Sequence, residues 1–151
     1  MKQEILVYGE RGPMHVGSTP TRYFEGNVTR ATKGSAGYDI RVTDGAVVKP
    51  GETVVFHTGV KVHMEQDDVL LVFVRSSVGI KRHLMMSTGA SVIDSDYTDE
   101  IMVPLTNYGS EPQEVKSGER VAQGVFVKYL LTDTDDTEDE RKGGIGSTGA
   151  V

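Results

Sequence analysis

Short apolar runs separated by turn residues extend along almost the whole chain and constrain its fold more than any other feature. The runs are rich in valine and isoleucine, and glycine, proline, asparagine or aspartate separates most of them. They lie at residues 5–8, 37–42, 46–48, 53–56, 60–64, 69–74, 100–105 and 121–131. β-Branched runs with turn signals at such spacing are typical of sandwiches and barrels. The sequence therefore predicts an all-β fold.

One segment favours a helix, and the C-terminal end favours no regular structure. Ser76–Arg82 predicts one short helix with Ser76 or Ser77 as its N-cap. Residues 132–140 are a charged run without an apolar anchor, and a glycine-rich end follows them. We therefore expect a β domain over residues 1–131. Residues 132–151 are then an acidic linker and a flexible glycine-rich flap that does not fold independently.

Length and composition exclude several classes of protein. A chain of 151 residues is long enough for one domain, and its net charge of -6 argues against a nucleic-acid binder. The absence of cysteine excludes a disulfide scaffold, a thiolate metal site and a cysteine nucleophile. The sequence has neither an apolar run long enough to span a membrane nor a signal-peptide core. We expect a soluble cytoplasmic protein that binds no membrane.

Residues 75–97 combine the groups that phosphate chemistry requires. Arg75, Ser76 and Ser77 follow an apolar run and begin the predicted helix. A guanidinium, hydroxyls and backbone N–H groups can converge there on an anion, although a helix cap with a surface arginine is the alternative. Asp94 and Tyr97 lie three residues apart across a turn, so both side chains can face one cavity.

A carboxylate in that cavity can act as general base toward water, and a tyrosine ring offers a flat face to a sugar. A turn role for Asp94 and Asp96 is the alternative. The four histidines lack the spacing of zinc ligands, and no Ser-His-Asp arrangement is indicated. We interpret the stretch as a site that hydrolyses a phosphorylated small molecule.

The tail contains a formal GxGxxG at residues 144–149. It is not a dinucleotide fingerprint, because no strand precedes it and no helix follows. Arg141, Lys142, the backbone N–H groups and two hydroxyls are the groups that a phosphate-closing flap needs. A disordered glycine-rich end is the alternative.

Taken together, these segments resemble the five motifs of the trimeric dUTPase family, in the family's order and over nearly the whole chain. The segments are AGYD at residues 36–39, RSSVG at 75–79, VIDSDY at 92–97, GERVAQ at 118–123 and RKGGIGSTG at 141–149. The resemblance implies a jelly-roll-like β-barrel that assembles as a homotrimer, with active sites at the subunit boundaries. It also implies magnesium-dependent cleavage of dUTP to dUMP and pyrophosphate.

The resemblance also assigns roles to individual residues. Asp94 would orient and deprotonate the attacking water, Tyr97 would lie under the deoxyribose, and Asp39 would contact the Mg²⁺ ion through a water molecule. Backbone groups of a hairpin around residues 89–92 would match the pairing edge of uracil, and the tail would close over a neighbouring subunit's site. The substrate-binding residues would be Arg75, Ser76, Ser77, Gly89, Val92, Tyr97, Gln123, Arg141, Ile145, Gly146, Ser147 and Thr148.

The chain departs from the family pattern at several positions. Thr88 stands where an amide side chain often contacts the base, while Ser91 and Asp99 replace usual glycines. Ile145 replaces an aromatic residue that commonly covers the uracil. Residues 22–30 look like an insertion before the first motif, with no function assigned.

Two other functions are compatible with the pattern. The related dCTP deaminases share the Arg-Ser-Ser motif, but they carry a catalytic glutamate where this chain has Pro104. The non-enzyme alternative is a nucleotide-gated binding protein whose insertion or tail contacts a regulatory protein partner.

Overall fold

The computed structural model describes residues 21–145, which form twelve strands and one helix. The strands are β1 (Tyr23–Glu25), β2 (Val28–Arg30), β3 (Tyr38–Arg41), β4 (Ala46–Val48), β5 (Thr53–His57), β6 (Lys61–His63), β7 (Asp68–Val74), β8 (Leu84–Met86), β9 (Ser91–Ile93), β10 (Met102–Asn107), β11 (Gln113–Val115) and β12 (Arg120–Lys128). The helix α1 (Ser76–Arg82) connects β7 to β8. The prediction of an all-β protein with one short helix is therefore confirmed.

The strands pair antiparallel in four hydrogen-bonded sheets around one core. The largest has the order β2-β3-β12-β7-β9, and a three-stranded sheet has the order β5-β10-β8. The two remaining sheets are the pairs β1-β6 and β4-β11. The barrel is therefore jelly-roll-like, assembled from separate sheets rather than from one closed ladder.

The core is built from the inward face of each strand. On β7, Leu70 and Val72 are fully buried, whereas the alternate residues Leu71 and Phe73 point the other way and are only partly covered. This is the period of two that a pleated strand imposes on its side chains. The same alternation buries Val103 and Leu105 on β10. The apolar runs of the sequence thus become the inner lining of the barrel.

The segment at residues 22–30 forms two short strands that belong to the barrel. Its strands β1 and β2 bury Phe24 and Val28, and they pair with β6 and β3. Gly26 connects them with a φ of 105°, and a Cβ atom there would lie 2.7 Å from the carbonyl oxygen of Gly59. Sequence reasoning missed both strands because three residues are too few to show a period of two.

Helix α1 has the predicted bounds, but the predicted serine N-cap is wrong. The N-cap is Arg75, which is extended, and no side chain in the described part of the chain caps the helix. Instead, the backbone N–H groups of Val78 and Gly79 donate to the carbonyl oxygen of Arg75 at 3.0 Å. The hydroxyls of Ser76 and Ser77 are therefore exposed and not used for capping.

The five-stranded sheet is apolar on its outer face as well as on its inner face. Val92 on β9, Phe73 on β7 and Val127 on β12 are 63%, 37% and 39% exposed, respectively. Leu71 and Val125 lie between them and are half-buried. An exposed apolar patch of this kind marks a surface that another molecule covers.

Beyond Lys128 the described chain forms neither helix nor strand. Within residues 21–145, the helix is also far too short to cross a membrane.

Substitution on β4 provides a test of this core, because Val48 is fully buried while its neighbour Val47 is 48% exposed. We expect Val48→Ala to lower the free energy of unfolding by about 2 kcal/mol, from lost transfer energy and a residual cavity. Val47→Ala, the matched control, should change it by less than about 0.5 kcal/mol. Urea denaturation of both variants measures the difference, and equal losses would contradict the assigned burial.

Candidate active site

A basic cleft lies where β7 meets α1. It has a volume of about 410 Å³ and contains five cationic side chains and one carboxylate, although the whole chain carries a net charge of -6. Its lining residues are Arg41, Arg75, Ser77, Val78, Lys81, Arg82, Gly118, Glu119 and Arg120. The cleft thus concentrates positive charge, which attracts a compact anion such as a polyphosphate.

The buried carboxylate of Asp39 holds two of these arginines in place. Its oxygens lie 3.0 Å from Nη1 of Arg120 and 3.4 Å from Nε of Arg75. Arg75 also donates to the carbonyl oxygen of Arg120 at 3.1 Å. Both guanidinium groups are therefore fixed before any ligand arrives.

Gln123 lies beside this cluster, since it pairs in register with Asp39 on β3. Its amide oxygen would be 2.4 Å from a Cβ atom at position 37, so only glycine fits there without moving Gln123. The first and fourth sequence motifs, which contain these residues, thus lie side by side on β3 and β12.

The structure adds Arg41 and Lys81 to the predicted residues of the cleft. Arg82 is held by Glu119 and by Gln113 Oε1 at 3.3 Å, so its charge is already compensated. Among residues 21–145, Lys81 makes no ion pair, and Arg41 donates to the hydroxyl of Thr29 at 3.2 Å. These two cations supply most of the uncompensated charge.

Helical and strand periodicity could have identified these two cations. Lys81 follows Ser77 by four residues on α1, and Arg41 follows Asp39 by two on β3.

A tight turn presents the carboxylate of Asp94 to solvent. The Tyr97 N–H donates to the Asp94 carbonyl at 3.1 Å, and the Ser95 hydroxyl donates to the Gln66 carbonyl at 3.2 Å. The Tyr97 ring is buried, and its hydroxyl donates to the Glu100 carbonyl at 2.6 Å. Burial raises the pKa of Tyr97, so the hydroxyl stays protonated at neutral pH. The turn is therefore rigid, whereas the side chain of Asp94 is 51% exposed.

The loop between β8 and β9 crosses from one sheet to the other. The expected hairpin around residues 89–92 is not a paired hairpin, because β8 pairs with β10 whereas β9 pairs with β7. Gly89 has a φ of 74°, and the hydroxyls of Thr88 and Ser91 lie 3.0 Å apart. Since β9 is an edge strand, one side of its backbone has no ladder partner within the described residues.

The C-terminal motif begins at Arg141, which lies on the turn that carries Asp94. Arg141 contacts Asp94 Oδ2 at 2.5 Å and Asp96 Oδ1 at 2.9 Å, and its guanidinium carbon lies 5.8 Å from the centre of the Tyr97 ring. Ile145 is 79% exposed. The predicted site residues Gly146, Ser147 and Thr148 lie outside the described residues. Within one chain, Arg141 thus binds the candidate base.

The cleft and the Asp94 turn lie at opposite ends of β7. Ile93 pairs with Leu70, which places Asp94 beside the first residues of β7, whereas Arg75 follows the last one. Arg75 follows Val69 by six residues of extended strand, a distance of about 20 Å. A single chain therefore does not bring the candidate base to the candidate phosphate cradle.

A magnesium ion requires oxygen ligands, and the carboxylates that could supply them are one cluster on a loop and the single side chain of Asp39. Among the described residues, only Glu65, Asp67 and Asp68 form a three-carboxylate cluster, and the ammonium group of Lys128 lies within 2.9 Å of all three. A dication there would compete with that ammonium group. Asp39 already faces two arginines, but a carboxylate has lone pairs for further donors. It therefore fits a contact to the water shell of Mg²⁺ rather than direct coordination.

Comparisons with known proteins identify relatives of this chain. A sequence model of the dUTPase family matches residues 26–149. The deoxyuridine 5'-triphosphate nucleotidohydrolase of Lactococcus lactis is 38% identical over 129 residues, 80% of this chain and 86% of that protein. The same enzyme from Shewanella piezotolerans is 40% identical over 127 residues, 79% of this chain and 84% of that protein.

Solved structures show the same fold. The crystal structure of dUTPase from Streptococcus mutans matches with a TM-score of 0.68 and 34% identity, over 73% of this chain and 98% of that one. A mutant dUTPase of phage phi11 of S. aureus, described with a structural Mg(II) ion, matches with a TM-score of 0.70 and 22% identity. That match covers 80% of this chain and 98% of the phage protein, and it shows the fold alone.

The uncompensated charge of the cleft predicts how it binds a polyanion. We expect Lys81→Gln to weaken the binding of inorganic tripolyphosphate by about threefold to tenfold at low salt, with a smaller effect at high salt because screening weakens the attraction. Lys61→Gln on β6, outside the cleft, is the matched control and should leave the affinity unchanged. Isothermal titration calorimetry at two salt concentrations measures both. Equal effects of the two variants would exclude a specific role for Lys81.

Proposed function

Because this chain belongs to the dUTPase family, we propose that it hydrolyses dUTP to dUMP and pyrophosphate with the groups described above. The observation that carries the proposal is the rigid turn at residues 94–97, which holds an exposed carboxylate beside a buried tyrosine ring. Hydrolysis of a phosphoanhydride requires mainly an oriented water and compensation of charge, and the turn and the basic cleft supply these two requirements.

Asp94 acts as the general base. Its carboxylate accepts a proton from a water molecule whose oxygen attacks the α-phosphorus of the substrate. The bond from the α-phosphorus to the bridging oxygen breaks, and pyrophosphate leaves with the bonding electron pair. Because the turn is fixed by Ser95 and Tyr97, the carboxylate is held in place before the substrate binds.

The cleft binds the triphosphate. Arg75, Ser76, Ser77 and Gln123 contact its oxygens, and the buried Asp39 keeps Arg75 oriented toward the ligand. Arg41 and Lys81 add the uncompensated charge that balances the leaving pyrophosphate. Pre-oriented cations of this kind cost little reorganisation during the reaction.

The β8–β9 loop and Tyr97 bind the nucleoside. Uracil presents an acceptor, a donor and an acceptor along its pairing edge, and the open backbone edge around Gly89 and Val92 offers complementary groups. The amino group of cytosine would meet an N–H group there, which disfavours dCTP. The ring of Tyr97 lies under the deoxyribose and leaves no room for a 2′-hydroxyl.

Magnesium fits this site as part of the bound nucleotide. Asp39 would contact a water molecule of the Mg²⁺ shell, since both of its oxygens already face arginines. When bound, the ion supplies charge neutralisation on the triphosphate oxygens.

Each active site is completed by another copy of the chain. The cleft of one subunit receives the Asp94 turn of a neighbour, because the two lie at opposite ends of β7 in one chain. The apolar outer face between them, which includes Phe73, Val92 and Val127, supplies a surface for that contact. A homotrimer is the assembly that the family resemblance favours.

The tail closes the assembled site. Arg141 moves from Asp94 to the terminal phosphate, joined by Gly146, Ser147 and Thr148, while Ile145 covers the uracil with an apolar side chain. This exchange exposes the Asp94 carboxylate to water when the phosphate arrives, which is when a base is needed.

We expect fast pyrophosphate release from dUTP with Mg²⁺, and little from dCTP or dTTP. Asp94→Asn should lower kcat by about 100-fold or more while leaving dUTP affinity within about threefold, because it removes the base but not a binding group. Asp96→Asn, which removes a carboxylate two residues away, is the matched control and should retain most of kcat. Ammonia release from dCTP, or normal turnover by Asp94→Asn, would overturn the proposal.

A mixing experiment tests the shared site. Asp94→Asn and Arg75→Gln chains should each be inactive, and co-refolding them in equal amounts should restore up to about a quarter of wild-type turnover. That fraction of sites combines an intact turn with an intact cleft from different chains. Refolding either variant alone is the control, and mixtures without recovered turnover would show that each site lies within one chain.

A further inference from the structure

Asp68 is a buried carboxylate outside the site described so far. Its side chain is 1% exposed, and Arg22 donates to both of its oxygens at 2.9 Å. Lys128 lies 2.8 Å from Oδ1, and the Glu65 N–H donates to Oδ2 at 3.0 Å. Arg22 first, and then Lys128, hold the pKa of Asp68 well below its usual value, so the group is ionised at neutral pH. The loop at residues 65–68 is thereby fixed.

This loop also holds two segments that the proposed reaction uses. The Gln66 carbonyl accepts hydrogen bonds from the Ser95 hydroxyl at 3.2 Å and from the Tyr129 hydroxyl at 2.6 Å. The Asp67 carbonyl accepts one from the Tyr129 N–H at 3.1 Å. Ser95 lies in the turn that carries Asp94, and Tyr129 is the first residue after β12, where the tail begins. One loop therefore fixes both the turn and the root of the tail.

The segment at residues 22–30 supports the same loop. Its strand β1 pairs with β6, which ends just before the loop, and the rings of Tyr23 and His63 stack with centroids 4.4 Å apart. The guanidinium of Arg22 also lies 5.5 Å from the ring of Phe126 on β12. The segment thus connects the strand before the loop to the strand that leads into the tail.

We propose that Arg22, Asp68, Lys128 and the loop at residues 65–68, here called the Asp68 brace, position the catalytic turn and the root of the tail for turnover. This inference rests on the proposed hydrolysis of dUTP. Its members are positioning residues, because they act on Asp94 through Ser95 and on the tail through Tyr129. The brace gives residues 22–30 a function in the reaction.

The direct contacts of the brace are tested by two hydroxyl deletions. Ser95→Ala and Tyr129→Phe should each lower the turnover of dUTP by about threefold to tenfold, the value of one lost hydrogen bond. Ser95→Ala should lower kcat without raising KM, because Ser95 touches the turn and not the substrate. Thr53→Val is the matched control, since it also removes a hydroxyl hydrogen bond, to Thr106 at 2.6 Å, outside the turn and outside the residues that line the cleft. It should leave turnover unchanged.

The remote member of the brace is tested by Arg22→Gln, with Arg22→Lys as the conservative variant. Arg22→Gln should reproduce the loss of kcat, and combining it with Ser95→Ala should give less than the product of the two losses, because both act through one loop. Arg22→Lys should recover part of the rate. Thermal unfolding of each variant separates this effect from a general loss of stability.

Hydrogen exchange provides a readout that does not depend on turnover. The amides of residues 94–97 should exchange faster in Ser95→Ala and Arg22→Gln than in the wild type, and at the wild-type rate in Thr53→Val. Unchanged exchange together with kcat within twofold of the wild type would overturn the brace. A wild-type protein that releases no pyrophosphate would instead overturn the proposed function, while the exchange result would still judge the brace.

Discussion

The antiparallel register of β7 is the constraint on which the rest of the structure depends. β7 pairs with β12 on one side and β9 on the other, so it fixes Gln123, Asp94 and the segment into α1 relative to one another. Its seven residues also separate the basic cleft from the Asp94 turn. A shift of the register by one residue would turn the core side chains outward. The same pairing therefore determines both the stability of the barrel and the division of the site.

Charged side chains form two clusters, which differ in how far their charges are compensated. In the cleft, cations outnumber carboxylates, and the buried Asp39 orients Arg75 and Arg120 without cancelling the field. At the other end of β7, the charges of Asp68, Arg22 and Lys128 compensate one another in a closed network. The first cluster is suited to an arriving anion, and the second is suited to holding chain segments together.

Much of this fold could be predicted from the sequence, because apolar runs and turn residues act locally. The bounds of α1 were predicted correctly, and the motif residues Asp39, Arg75 and Gln123 are neighbours, because Asp39 faces Arg75 and pairs in register with Gln123. The separation of the basic cleft from Asp94 could not be predicted, since it depends on which strands pair across the barrel. The serine N-cap was wrong because Ser76 and Ser77 already lie in the first turn of α1, which leaves Arg75 at the cap position. Three-residue strands, such as those at residues 22–30, carry too little periodicity to identify.

The outer face of the five-stranded sheet affects the tendency of a newly synthesised chain to aggregate. In a single chain, the edge strand β9 and its neighbours expose Val92, Phe73 and Val127 to water. An open edge beside apolar side chains is a template for unwanted strand pairing, so aggregation competes with any specific association through this surface. With only three residues, β9 is a short template, which limits the misassembly that a newly synthesised chain can undergo.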